Sequence, residues 1–481
     1  MKSITVAQIV QWTGGELLAG SLSAAVRGVS IDSRTIQPGE LFVPLRGERV
    51  DGHEYVADSL ARGAAVSLVA REKAESVIAR LDETALREGK INLIAVENVL
   101  SALQDLAREY RSLFSAAVIA VTGSTGKTST KDMMAGILSQ LGPTLKSQGN
   151  FNNEIGLPLT LLKLDDSHKS AVVEMGMRGL GQIRLLTELA RPQVGVITNV
   201  GTVHMELLGS QKAIQQAKQE LIEAMEPGGV AVLNGDDPLV REMAEAAADK
   251  RVIYYGWQVV PENVYSSDNW VTAERVVSRG EKGVTFDLWY QGEAVAVELP
   301  CPGKYQVSNA LAAAAGALAV GATLAHVQAG LASASLSGMR MQLIPWFGGG
   351  LVINDAYNAN PTSMAAALET AKEIAGSRRL VLVLGDMLEL GDLSQEAHRE
   401  IGRQAALLQP AYLITVGRWA QEYGKGALAA GLDETRIEYC LDLEDAREAV
   451  LQLTQPGDVI LVKGSRGLAL ERIVEQLCAG L

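Results

Sequence analysis

Residues 116–140 constrain this chain more than any other stretch. An apolar run, AAVIAVTG (116–123), leads directly into Ser124-Thr125-Gly126-Lys127-Thr128-Ser129, and a helical pattern follows over 128–140. The apolar run reads as a buried strand, and the glycines after it free the backbone to turn its N–H groups inward. Strand, glycine turn and helix start together make a phosphate cradle. The amides and the helix N-terminus face the anion, Lys127 reaches the β- and γ-phosphates, and the Thr128 hydroxyl can hold Mg²⁺. The loop is of a compact kind. The usual phosphate loop carries a glycine five positions before Gly126, where this chain has Val121, which disfavours GTPases and most kinases.

The same alternation continues along the chain. AVVEMG (171–176), VGVITNVG (194–201) and GVAVLNGDD (229–237) are apolar runs that end in polar or glycine residues, with amphipathic stretches such as 211–225 between them. Near-continuous apolar strands separated by helices predict a parallel sheet covered on both faces. A second set, GLVINDAYNANP, RLVLVLGDM, YLITVG and DVILVKGSR, follows residue 340 and predicts a smaller α/β unit of the same kind. The chain before residue 96 differs, with short strands (AVRGVSIDSR, ELFVPLRG, AVSLVA, NLIAV) and no phosphate loop. Residues 252–300 alternate in a β-like way, and an alanine-rich helix is expected over 308–320.

A length of 481 residues leaves room for about three domains. The expected division is a small mixed α/β N-terminal domain at 1–96, a central parallel-sheet domain with the phosphate loop at 97–339, and a C-terminal Rossmann-like α/β domain at 340–481.

The formal charge of −13 argues against a broad basic surface for nucleic acid, so anionic ligands need local basic pockets. Cys301, Cys440 and Cys478 are scattered without a CxxC pair, which excludes a zinc ribbon or disulfide framework and fits a reducing compartment. The N-terminus lacks a basic stretch followed by a long apolar one, and no run approaches the ~18 apolar residues of a spanning helix. A cytoplasmic protein without membrane insertion is expected.

Beyond the phosphate loop, Glu174 ends an apolar strand, at the edge where open α/β sheets place ligands. It reads either as a solvated strand-end carboxylate or as a ligand for the metal of bound ATP. His204, in GTVHMELLG after the strand end Thr198-Asn199, reads either as a satisfied hydrogen-bonding histidine or as a neighbour of the same metal. Lys218, in the helical stretch QQAKQE, reads by itself as a solvated helix lysine.

TGSTGKT, Glu174, TNVGTVH and AKQE, in this order, resemble the Mur ligases, the ATP-dependent amide-forming enzymes of peptidoglycan precursor assembly. Folylpolyglutamate and cyanophycin synthetases are relatives of that family. The resemblance spans nearly the whole chain. It takes in DSR (32–34), LFVPLRGERVDGH (41–53), Asn309 in YQVSNALAAAA, Arg340 in SGMRMQ, Asp355 in NDAYNANPTSM, and GDMLELG (385–391) with His398. DAYNANPTSM and GDMLELG are similar to the branch that adds D-Ala-D-Ala to UDP-N-acetylmuramoyl-tripeptide. The strings DYAHTPD and DNPR of the diaminopimelate- or lysine-adding branch do not occur.

The resemblance implies roles for particular residues. Gly123, Ser124, Thr125, Gly126, Lys127, Thr128 and Ser129 hold the ATP phosphates, Asn309 contacts adenine, Arg340 reaches the phosphates, and Asp355, with Tyr357 and Asn358, faces the nucleotide. Lys127, Glu174, His204 and Lys218 are the catalytic set. Thr128, Glu174, His204 and a carbamylated Lys218 hold Mg²⁺. Ser33, Arg34, Gly47, Glu48, Arg49, Asn152, Asn153 and Arg178 face the UDP-linked peptide substrate, although an isolated DSR otherwise reads as a solvated turn. The implied cofactors are ATP and Mg²⁺, and the implied oligomeric state is a monomer. One departure is Lys304-Tyr305 ahead of Asn309, where the family often has Gly-His.

Two other readings fit less well. A folate-type ligase would have no counterpart of the DSR and GERVDGH segment, and a non-catalytic nucleotide switch would not need Lys127, Thr128, Glu174, His204 and Lys218 together.

Overall fold

The longest apolar runs form the middle of one sheet, and the phosphate loop leaves that sheet where its topology reverses. The structure, a computed structural model, describes residues 1–202 and 205–479. Edge to edge, its nine-stranded central sheet runs Glu293–Leu299, Val284–Tyr290, Trp270–Ser278, Arg251–Tyr255, Val230–Asn234, Val194–Ile197, Ala117–Thr122, Ser170–Glu174, Thr144–Lys146. Pairing is parallel from Thr144–Lys146 through Trp270–Ser278, and an antiparallel hairpin closes the far edge. From Ala117–Thr122 the chain first adds strands on one side and then returns to add Val194–Ile197 on the other. The C-terminal end of Ala117–Thr122 is therefore a topological switch point, where ligand crevices open in such sheets.

The alanine-rich segment forms the helix Tyr305–Leu318, which starts and ends earlier than its composition suggests. Its small residues serve close packing: Ala310 and Ala312–Ala315 are wholly buried, and a Cβ added at Gly316 would lie 2.5 Å from Met134 Cε. The helix thus lies tightly along the phosphate-loop helix, Lys127–Leu138.

The first sheet has five strands in the order Glu16–Ala19, Leu93–Val96, Val66–Ala70, Glu40–Phe42, Gly28–Ser30, with only the first pairing antiparallel. The helix Val99–Arg111, capped by the Asn98 side chain on Ser101 N at 2.9 Å, packs on Val6–Thr13 and also on central-domain helices. One apolar core consequently joins Leu41, Val66 and Ile94 to Val118, Val173 and Leu186.

The third sheet is a separate layer: Gln342–Trp346 antiparallel to Gly350–Asp355, followed by Val459–Lys463, Leu380–Gly385, Tyr412–Val416 and Ile437–Cys440, all parallel. Apolar side chains fill both of its faces. It meets the central domain through Arg378 with Glu281, Ser278 Oγ donating to Glu373 Oε2 at 2.5 Å, and Lys304 at 3.4 Å from Glu373. Among the described residues no helix is long and apolar enough to cross a membrane.

Candidate active site

The phosphate loop is built rigidly. Gly123 and Gly126 take φ of 149° and 79°, and a Cβ at either would lie 1.8 Å from Thr198 Oγ1 or 2.3 Å from Asn309 Oδ1 respectively. Both positions therefore need glycine, for conformation and for space. The next strand end clamps the loop. Thr198 Oγ1 donates to Thr125 O at 2.6 Å, Asn199 Oδ1 accepts from Thr125 N at 2.9 Å, and Ser124 Oγ accepts from Gly201 N at 2.8 Å. Lys127 Nζ curls back to donate to Gly123 O at 2.7 Å. Burial holds its amine below the ordinary lysine range, with Glu174 opposing that shift and Arg340 adding to it.

Glu174 is buried, so the solvated strand-end reading does not hold. In register with Val121, its carboxylate accepts from Thr128 Oγ1 at 2.7 Å on one oxygen and from Asn152 Nδ2 at 2.9 Å on the other. Lys218 likewise departs from the solvated-helix reading. It lies on the helix Gln211–Ala224 with 2% exposure and faces the same cavity. Burial, and secondarily the Lys127 charge, push its amine well below the usual lysine range. His204 lies outside the described residues.

One cavity of ≈ 860 Å³ gathers these groups. It is lined by Gly123, Ser124, Thr125, Gly126, Lys127, Thr128, Ser129, Asn152, Asn153, Glu174, Arg178, Lys218 and Asn309 from the central domain, and by Arg340 and Asp355 across the cleft. Arg340 Nε is buried with no hydrogen-bond partner, a donor free for an anion in the cleft. Asn309 Nδ2 donates to Gln306 Oε1 at 2.8 Å, which fixes the amide beside Gly126.

The orphaned Arg340 Nε, the glycine cradle and the half-buried Lys127 fit a nucleotide's phosphates. Among the described residues no three or more His, Cys, Asp or Glu side chains cluster to hold a metal. Thr128 and Glu174 still offer two oxygens, and phosphate oxygens with water would complete the shell of a hard cation.

The remaining predicted residues are elsewhere. Ser33, Arg34, Gly47, Glu48 and Arg49 do not line this cavity. The Arg34 side chain is 84% exposed and forks onto Asp32, Nε to Oδ1 at 2.9 Å and Nη2 to Oδ2 at 2.7 Å. Gly47, Glu48 and Arg49 are exposed in the following loop.

Several lining residues were not singled out from sequence. Tyr305, at the position of the departure from the family pattern, is one. Asp236 is another; its carboxylate accepts from the N–H groups of Trp257, Gln258 and Val259 at 3.0, 3.0 and 2.8 Å. Lys463 is a third, ion-paired with Asp355 at 2.5 Å. The GDD end of the apolar run 229–237 and the KGSR strand end are the available signals for the last two.

Comparison with known proteins agrees with this geometry. Residues 25–111 match the Mur ligase family catalytic domain, 121–317 the Mur ligase middle domain, and 339–466 the Mur ligase glutamate ligase domain. A curated UDP-N-acetylmuramoyl-tripeptide–D-alanyl-D-alanine ligase of Bacillus subtilis is 37% identical over 468 residues, covering 96% of each chain. The chain belongs to the Mur ligase family. Among solved Mur ligases, the crystal structure of MurF from Acinetobacter baumannii superposes with a TM-score of 0.85 at 31% identity, covering 100% of this chain and 99% of that one. MurF ligase from Thermotoga maritima, solved in complex with ADP, superposes with a TM-score of 0.77 at 26% identity, covering 94% and 97%. The three-domain Mur ligase fold is thus shared along the whole chain.

Proposed function

We propose that this Mur ligase joins D-Ala-D-Ala to UDP-N-acetylmuramoyl-tripeptide at the expense of ATP, giving UDP-MurNAc-pentapeptide, ADP and phosphate for peptidoglycan synthesis. The full-length likeness to ligases named for that reaction supports it. The observation that carries it is the single cavity in which the phosphate loop, buried Glu174 and Lys218 meet Arg340 from across the cleft. A switch protein needs the first of these but not the rest.

The chemistry follows from the charges. A carboxylate oxygen of the tripeptide attacks the γ-phosphorus, the bond to the β-phosphate oxygen breaks, and ADP leaves. The dipeptide amine then attacks the acyl-phosphate carbonyl, and the tetrahedral adduct collapses with loss of phosphate and a proton. The first step brings two anions together, and Lys127 and Arg340 supply the compensating charge. Mg²⁺, when bound, neutralises phosphate charge and orients the oxygens. Thr128, Glu174, His204 and Lys218 are assigned to hold it. Mg²⁺ is a hard cation that prefers oxygen donors, so Lys218 would hold it as a carbamate, formed when the neutral amine that burial favours adds CO₂. Gly123–Ser129, Asn309 and Asp355 are assigned to the nucleotide. Ser33, Arg34, Gly47–Arg49, Asn152, Asn153 and Arg178 are assigned to the UDP-linked peptide.

Residues 1–96 are proposed as the UDP-substrate domain, 97–339 as the ATP domain and 340–481 as the dipeptide domain. A cytoplasmic monomer is proposed, in keeping with ATP as co-substrate and with three unpaired cysteines. The test is phosphate release by the purified protein with ATP, UDP-MurNAc-tripeptide and D-Ala-D-Ala, with the product weighed by mass spectrometry. Release that needs both peptides and yields pentapeptide supports the reading; release without the dipeptide contradicts it.

A further inference from the structure

The turn that carries Arg340 is held in a costly backbone state. Met339 and Met341, on either side of it, have φ of 60° and 49°, in the left-handed region where a Cβ crowds the chain. Such residues persist only where their surroundings over-determine them. On the entry side, Ser337 donates to Asp132 Oδ2 with its N–H at 2.9 Å and its hydroxyl at 2.7 Å. The Asp132 side chain is wholly buried on the phosphate-loop helix, and its other oxygen accepts from Lys146 Nζ at 2.7 Å. On the exit side, Met341 N donates to Asp355 Oδ1 at 3.0 Å, and Tyr357 N donates to Met339 O at 3.3 Å.

Asp355 is itself pinned. Lys463 Nζ donates to Asp355 Oδ2 at 2.5 Å and to Asn358 O at 3.0 Å, with its side chain only 3% exposed. Asp355 and Lys463 are abreast, the last residues of the adjacent parallel strands Gly350–Asp355 and Val459–Lys463. Between the two anchors the Arg340 guanidinium lies over the Tyr357 ring, 4.3 Å from its centroid.

We propose that Asp132 and Lys463 are positioning residues that fix the Arg340 turn from two domains at once. Asp132 ties the entering chain to the phosphate-loop helix, and Lys463, through Asp355, ties the departing chain to the third sheet. The guanidinium is then preset for the nucleotide phosphates only while both domains hold their relative placement. A planar fork gains most from such presetting, because its several donors must align together. The proposal rests on the reading of Arg340 as a phosphate contact.

A double-mutant cycle tests it, with kcat and KM for ATP measured on the full-length enzyme at saturating peptide substrates. Arg340→Ala alone checks the underlying reading: a loss of about 10²-fold in kcat/KM is expected. An unchanged value overturns that reading, whatever the other variants do. Lys463→Met and Ser337→Ala are expected to cost roughly tenfold and threefold, mainly in kcat, and almost nothing more once Arg340→Ala is present. Lys463→Arg, which keeps the cation, should recover most of the loss. Losses that multiply in full with Arg340→Ala overturn the proposal, since they mean direct ligand contact or general damage to the fold. So does the absence of loss in both single variants. If Lys463→Met fails to fold, the Ser337→Ala cycle decides.

Discussion

The Thr128 hydroxyl donates to Glu174 Oε2 at 2.7 Å, joining the first turn of the phosphate-loop helix to the end of the neighbouring strand. This contact places two oxygens in the same cavity as the half-buried Lys127 amine, so anion and cation sites share one wall of it.

Lys127→Met should lower turnover by roughly 10³-fold or more, because it removes the charge facing the transferred phosphoryl group. The fold should survive. The lysine is half-buried and desolvation depresses its pKa, so its removal relieves that cost, and the melting temperature without nucleotide should stay level or rise. Differential scanning calorimetry beside steady-state kinetics checks both halves.

Gly126→Ala should raise KM for ATP by about tenfold, through left-handed strain of about 1–2 kcal/mol together with a clash. The added Cβ would lie 2.3 Å from Asn309 Oδ1, so either the loop or the proposed adenine contact must shift. Nucleotide titration by calorimetry measures the change. Affinity equal to that of the parent would remove Asn309 from the nucleotide site.

Lys218→Ala should be nearly inactive, and small carboxylates such as acetate should restore part of the activity by standing in for the carbamate. Rescue should follow carboxylate concentration and not ionic strength. The parent enzyme, stripped of dissolved CO₂, should lose activity and regain it with bicarbonate. Only the neutral amine adds CO₂, and burial, which pushes the Lys218 amine well below the usual lysine range, favours that form.

How far the site can be read from sequence depends on how local each part is. The phosphate loop is a contiguous pattern and needs no tertiary information. Lys218 is different: its helix looks like any solvated one, and only the packing of Gln211–Ala224 under the strand ends buries the amine. Asp355 and Lys463 are 108 residues apart, and their contact depends on a strand order that no periodicity encodes. Arg34 shows the opposite case, since the turn reading of DSR describes its exposed fork onto Asp32. The α/β plan of the chain is legible because apolar runs and helical stretches alternate. The core shared between Leu41 and Val118 was not, because it comes from one helix, Val99–Arg111, packing on the first domain and on central-domain helices.

His398 supplies a pH signature. Its Nε2 accepts from Met387 N at 2.9 Å and its Nδ1 donates to Ser394 O at 2.5 Å, which holds the 385–391 loop with a neutral ring. Burial keeps its pKa below the ordinary 6.5. As pH falls, the unfolded chain takes up this proton first, so the contribution is full above the ordinary value and is lost on the way down through the folded one. From about pH 7 to about pH 5 the parent should lose melting temperature more steeply than His398→Gln. Parallel curves would mean the imidazole is not held neutral by the fold.

The most direct measurement of the central claim follows an oxygen atom. UDP-MurNAc-tripeptide labelled with ¹⁸O in its terminal carboxylate is turned over with ATP and D-Ala-D-Ala, and the released phosphate is weighed. An acyl phosphate formed in the cavity between Lys127 and Arg340 transfers one labelled oxygen from carboxylate to phosphate for each pentapeptide made. Phosphate free of label, or released at the same rate without the dipeptide, would contradict the account.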